Sequence, residues 1–172
     1  MNATKQCEKC SLGQFSNQGG QVRCTNCSAE ETSTAGSTFC SKCDAGKFMN
    51  VAKVCEFCIP GKVSTYGKKE CTGCEAGYYS NDDNSTCVGC PHGKYSKNNL
   101  QTSVALCTNC THGRYSSAVG TSSAFGCNAC SAGKYSNKEG MTKETACKEC
   151  LQGHHQDVSG NESCVKCSVG QY

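Results

Sequence analysis

The ten residues CTNCTHGRYS at 107–116 return twenty positions later as CNACSAGKYS at 127–136. Two cysteines three apart are followed by a glycine, an aromatic and a serine at fixed offsets, which is one unit of a short repeat. Working outward from it, every cysteine of the chain falls in a C-x2-C pair. The units start at Cys7, Cys24, Cys40, Cys55, Cys71, Cys87, Cys107, Cys127, Cys147 and Cys164, in steps of 15 to 20 residues. Glycine stands three residues after each pair, as Gly13, Gly46, Gly61, Gly77, Gly93, Gly113, Gly133, Gly153 and Gly170; Glu30 alone departs from this. The aromatic slot holds Phe15, Phe48, Tyr79, Tyr95, Tyr115, Tyr135 and Tyr172, with Thr32, Val63 and His155 in the other units. Ser16, Ser80, Ser96, Ser116 and Ser136 come next, and Gly67, Gly120, Gly140 and Gly160 mark mid-loop positions.

Each part has a physical reading. The first glycine suits a backbone with positive φ, or one that another backbone approaches closely. The aromatic two residues later shares a face with it on an extended segment and can cover a disulfide, making a very small core. Tips rich in Gly, Asn and Ser turn the chain back in a short hairpin. No apolar stripe of period 3.6 is present, so almost no helix is expected. The 20-residue units starting at Cys87, Cys107 and Cys127 are expected to carry longer exposed tips.

Composition sets the same bound. Twenty of 172 residues are cysteine, above the roughly 8–10 % that marks a disulfide scaffold. Val, Ile, Leu, Met and Phe together number 23 and Trp is absent, so an ordinary apolar core cannot form. Ordering the backbone costs on the order of 1–2 kcal/mol per residue, and covalent cross-links must offset part of that. A bridge closing about 15 residues is worth roughly 3 kcal/mol in the chain-entropy model. Such bridges persist in oxidising compartments, which places the chain outside the cell, secreted or on a cell surface.

Charge adds little. The formal net charge of +3 is spread as single lysines with small clusters such as Lys68 and Lys69, a solvated surface rather than a nucleic-acid patch. No run of 18 apolar residues exists, so no membrane span is expected. Residues 1–6 lack the apolar core of a signal peptide, and the closing CSVGQY opens another unit. Together these lead to the expectation of a segment of a longer repetitive chain.

The cysteine pairs admit three chemistries. Two C-x2-C pairs in succession are the ligand set of a zinc ribbon. The even ladder, with no grouping into pairs of pairs, argues against zinc, and so do the sequons at Asn2, Asn26, Asn84, Asn109 and Asn161. A redox motif would need a helix N-terminus in a thioredoxin-like setting. Structural disulfides remain. Bridging within a pair closes a small strained ring and leaves the loops free. Bridging from one pair to the next closes loops of 11 to 16 residues. Spacing alone does not choose between these connectivities.

The unit C-x2-C-x2-G-[KRQ]-[YF]-S, as at 107–116 and 127–136, resembles the ephrin-receptor-like cysteine-rich repeat. It is also similar to the first disulfide loop of tumour necrosis factor receptor modules. The resemblance runs along the whole chain, and long arrays of the first kind occur on the surfaces of ciliates and other protists. It implies the loop pairing: Cys10 with Cys24, Cys27 with Cys40, Cys43 with Cys55, Cys58 with Cys71, and Cys74 with Cys87. It continues with Cys90 to Cys107, Cys110 to Cys127, Cys130 to Cys147 and Cys150 to Cys164. Cys7 and Cys167 are left to partners elsewhere. No ligand site carries over, since the receptor families bind through variable loops.

The expected fold is therefore a small disulfide-rich one, mainly irregular with short β-hairpins, as an elongated rod of about ten stacked repeats. Nothing suggests catalysis, a cofactor or a metal centre. His92 and His112 fill a variable slot before glycine, and Asp82 and Asp83 lie on a polar tip. His154 and His155 replace the usual Lys-Tyr, a pair suited at most to weak metal binding. The expected role is structural: an extracellular rod, stalk or filament, N-glycosylated at Asn2, Asn84 and Asn161 before Asn26 and Asn109, whose sequons contain cysteine. Its partners would be further repeats or other copies of itself. The alternative is a receptor ectodomain or adhesin that binds a protein ligand.

Overall fold

The computed structural model describes residues 6–172, so Asn2 lies outside the described residues. Nine disulfides join the second cysteine of one pair to the first of the next, from Cys10–Cys24 to Cys150–Cys164, at sequence separations of 12 to 17. We number the loops they close one to nine in chain order. The chain divides into two units. The first runs to Thr72 and includes Asp82–Thr86; the second is Gly73–Asn81 with Cys87–Tyr172.

The hairpins follow from the repeat. The glycine-aromatic segment forms one strand, and the two residues inside the next C-x2-C pair form the other. In the first unit Gln14 faces Asn26 and Phe15 faces Thr25, while Lys47–Met49 pairs with Cys55–Phe57. In the second, Tyr78–Ser80 pairs with Cys87–Gly89, Lys94–Tyr95 with Thr108–Asn109, and Arg114–Tyr115 with Asn128–Ala129. Lys134–Tyr135 pairs with Lys148–Glu149, and His154–His155 with Val165–Lys166. Two or three residues per strand is all that fits, because the disulfide closes the ladder at one side and the glycine turn ends it at the other. A hairpin this short is not stable alone, so each depends on its cross-link and on its neighbours.

The core is made of cystine. Cys43, Cys74, Cys90, Cys110, Cys127 and Cys130 are almost completely buried, and Met141 is the sole buried aliphatic side chain among the described residues. Tyr115 of loop seven packs against Cys130, Met141 and Cys147, so the aromatic covers the disulfide of the following loop, loop eight. No α-helix occurs among the described residues; the helical content is three 3-10 turns, Val104–Leu106, Ala124–Gly126 and Glu144–Ala146. These turns hold the extra residues of the 20-residue units. The expectation of longer exposed tips is corrected as to place: Gln101 and Met141, just after two of the tips, are buried, and the extra residues that follow, in turns with no buried residue, lie beyond them. The insertion is absorbed instead between the tip and the returning cysteine. Among the described residues no helix is long and apolar enough to cross a membrane.

Candidate functional site: the seam between loops

The most extensive constellation in the molecule is a backbone one, repeated from loop to loop. At each tip a residue takes the left-handed conformation, and in most loops its N–H donates to the cysteine that opens the preceding loop. In the first unit Gly36 N–H reaches Cys10 O at 2.8 Å and Gly67 N–H reaches Cys43 O at 2.8 Å. In the second unit the pairs are Leu100 to Cys74, Gly120 to Cys90, Gly140 to Cys110 and Gly160 to Cys130, at 2.8 to 2.9 Å. Two further bonds complete the seam between loops seven and eight. Gly113 N–H donates to Ser136 O at 2.8 Å, and Ser116 N–H donates to Met141 O at 3.0 Å. Gly93 to Ser116 and Ser96 to Thr121 repeat them one loop earlier, at 2.9 and 3.0 Å.

The serine of the repeat closes its own tip as well. Ser96 Oγ accepts from Asn98 N–H at 3.3 Å and donates to Asn98 O at 3.2 Å. Among the described residues no buried side-chain nitrogen or oxygen lacks a partner, as native interiors require. The buried serines Ser64, Ser80, Ser96, Ser116 and Ser136 are therefore part of the seam and not surface decoration.

A second contact links loops two apart. A Cβ added to Gly113 would run into the carbonyl of Gly160, and one added to Gly93 into that of Gly140. In the first unit Gly46 faces Asp83 O in the same way. At Gly46, Gly77, Gly93 and Gly113 the repeat glycine is thus required for close approach, and at Gly113 also for its φ of 67°. Both readings offered by the sequence hold at once. Glu30, the exception, meets the loop two ahead through charge: its carboxylate lies 3.5 Å from Lys69 and 3.4 Å from Lys42. The hydrogen bond from Lys42, with Lys69 alongside, holds the Glu30 carboxyl below its ordinary range.

Asn84 is the other informative departure. It occupies the tip of loop five with φ 55°, and its side-chain Nδ2 donates to Cys58 O at 3.0 Å. A side-chain amide here does the work of the tip N–H in other loops. The sequons consequently differ. Asn26 and Asn109 are exposed, whereas Asn84 and Asn161 are half-buried, and Asn161 Nδ2 donates to Val158 O at 3.2 Å. Asn26 Oδ1 accepts a hydrogen bond from Gln14 Nε2 at 2.9 Å.

The remaining titratable candidates stay dispersed. His112 faces Glu162 at 3.6 Å and His155 faces Asp157 at 3.7 Å, all largely exposed. Among the described residues no three His, Cys, Asp or Glu side chains converge as metal ligands. Cys7 and Cys167 are unbridged, and Cys167 Sγ lies 3.9 Å from His155 Nδ1. The seam is what sequence reasoning missed, because its partners are main-chain carbonyls that leave no residue-type signal. No protein-family model matches this chain, and no curated protein matches it.

Proposed function

We propose that this chain is an extracellular structural repeat protein, without catalytic activity, that forms a rod, stalk or filament on a cell surface. The observation that carries the reading is the seam: backbone hydrogen bonds of one pattern recur between successive loops, one to two and three to four in the first unit and five through nine in the second. Interactions of that kind are nearest-neighbour terms, which suit a quasi-one-dimensional array. Nine disulfides in a chain with so little apolar material support an oxidising location. N-glycans on the sequons belong to the same reading, with Asn26 and Asn109 offering exposed side chains. The resemblance to ephrin-receptor-like repeats fits this role. Further repeats, or other copies of the chain, are its natural partners.

One observation favours the second reading, a receptor ectodomain or adhesin. Phe125 is 97 % exposed at the edge of a cavity of about 200 Å³ that Tyr95, Thr111, Arg114, Ala124 and Cys127 also line. An exposed aromatic beside a cavity is a common anchor for a protein ligand. Electron microscopy of the native assembly separates the two. Rods or fibres of regularly repeating subunits are expected; isolated ectodomains, each joined to a different protein, would overturn the structural role.

A further inference from the structure

Glu30 stands where every other unit has glycine, and its carboxylate makes contacts no glycine could. The stem of Lys42 runs beneath the tip glycine of loop four: a Cβ on Gly67 would meet Lys42 Cδ at 2.8 Å. The Lys42 ammonium continues to one Glu30 oxygen at 3.4 Å, and Lys69 reaches the other at 3.5 Å. The tip of loop four therefore rests on a lysine stem whose far end loop two holds. We infer that Glu30 is the centre of an electrostatic clasp that seats the tip of loop four, closed at neutral pH and low salt and released by acid or salt.

The molecule contains its own control. The tip of loop two is seated by the same bond, Gly36 N–H to Cys10 O at 2.8 Å, the length seen for Gly67 to Cys43. Gly36 also lies over a lysine stem, that of Lys9, with Cδ at 3.3 Å from an added Cβ. Among the described residues no ion pair to Lys9 is present. The two tips thus share a hydrogen bond and a hydrocarbon support and differ in the carboxylate. Salt screens exposed charges over a few ångströms and leaves backbone bonds and packing largely intact, so it should discriminate between them.

Acid acts in the same direction. The groups facing Glu30 are Lys42 and Lys69. Its neighbour Glu31 accepts from Ser28 Oγ, and Lys53 Nζ is held on the carbonyls of Ser28 and Ala29. Lys42 and Lys69 hold the Glu30 carboxyl below its usual range. The clasp is therefore fully present above the ordinary glutamate pKa and is lost as pH falls through the lowered one.

The test is amide hydrogen exchange by NMR on the oxidised full chain, in about 20 mM and about 1 M sodium chloride. High salt should lower the protection factor of Gly67 about two- to fivefold more than that of Gly36, the range for exposed ion pairs. Glu30→Gln should abolish that difference. Glu30→Gly, which restores the repeat glycine, should fold with Gly67 insensitive to salt. Lys69→Gln, at the outer pair, should reduce the salt response and leave the fold unchanged. Equal responses of Gly67 and Gly36 in the unaltered chain would overturn the clasp, as would a Gly67 response that persists undiminished in these variants.

Discussion

At the scale of single residues, Gly113 meets two demands that no other side chain meets. Its φ of 67° strains any L-residue, and the Gly160 carbonyl fills the space a Cβ would need. Gly113→Ala should destabilise loop seven by about 1–3 kcal/mol, read from the denaturation midpoint of the oxidised protein. Gly19 has open space around it and no positive φ, so Gly19→Ala should change stability by less than about 0.5 kcal/mol. Asn84 is a second test at this scale. Asn84→Ala removes the donor to Cys58 O and places a less tolerant residue at φ 55°. We expect a loss of about 1–3 kcal/mol, measured in the same way; a loss below about 0.3 kcal/mol would show that the side-chain bond contributes nothing.

At the scale of the loop, the disulfide and the seam do different jobs. The bridge limits the freedom of the unfolded loop, and the seam fixes where the closed loop sits. Replacing both cysteines of Cys110–Cys127 with serine should cost about 2–5 kcal/mol. Because each loop contacts neighbours one and two places away, as Gly77 does Gly120, hydrogen exchange should rise in loops five to nine and stay unchanged in loops one to three. Uniform deprotection along the chain would mean one cooperative core instead. This is also the scale at which the sequence is most and least legible. The loop spacing, the near absence of helix and the turn positions at Gly67, Gly120, Gly140 and Gly160 can be read directly, since cysteine spacing and glycine are strong local signals. The second strand cannot, because two residues between cysteines, such as Thr108 and Asn109, are too few to show a period of two. The seam escapes for another reason. A glycine reports that something approaches it, and Gly93 carries no record of which carbonyl that is. Glu30 was visible as a break in the pattern, but its partners Lys42 and Lys69 come together only through the docking of loop four.

At the scale of the whole molecule, stability rests on cystine and main-chain hydrogen bonds, with very few buried aliphatic or aromatic side chains. Reductant at neutral pH should therefore abolish protection in every loop, whereas added zinc should restore none of it. Among the bridges and thiols described, reactivity toward an alkylating reagent without reductant should be confined to Cys7 and Cys167. The measurement that bears most directly on the account is disulfide mapping of the native protein. It would use alkylation at acid pH, proteolysis without reductant and mass spectrometry of the linked peptides. The account predicts nine bridges between successive pairs, from Cys10–Cys24 through Cys90–Cys107 to Cys150–Cys164. Bridges inside the C-x2-C pairs, or ten or more free thiols with bound zinc, would contradict it.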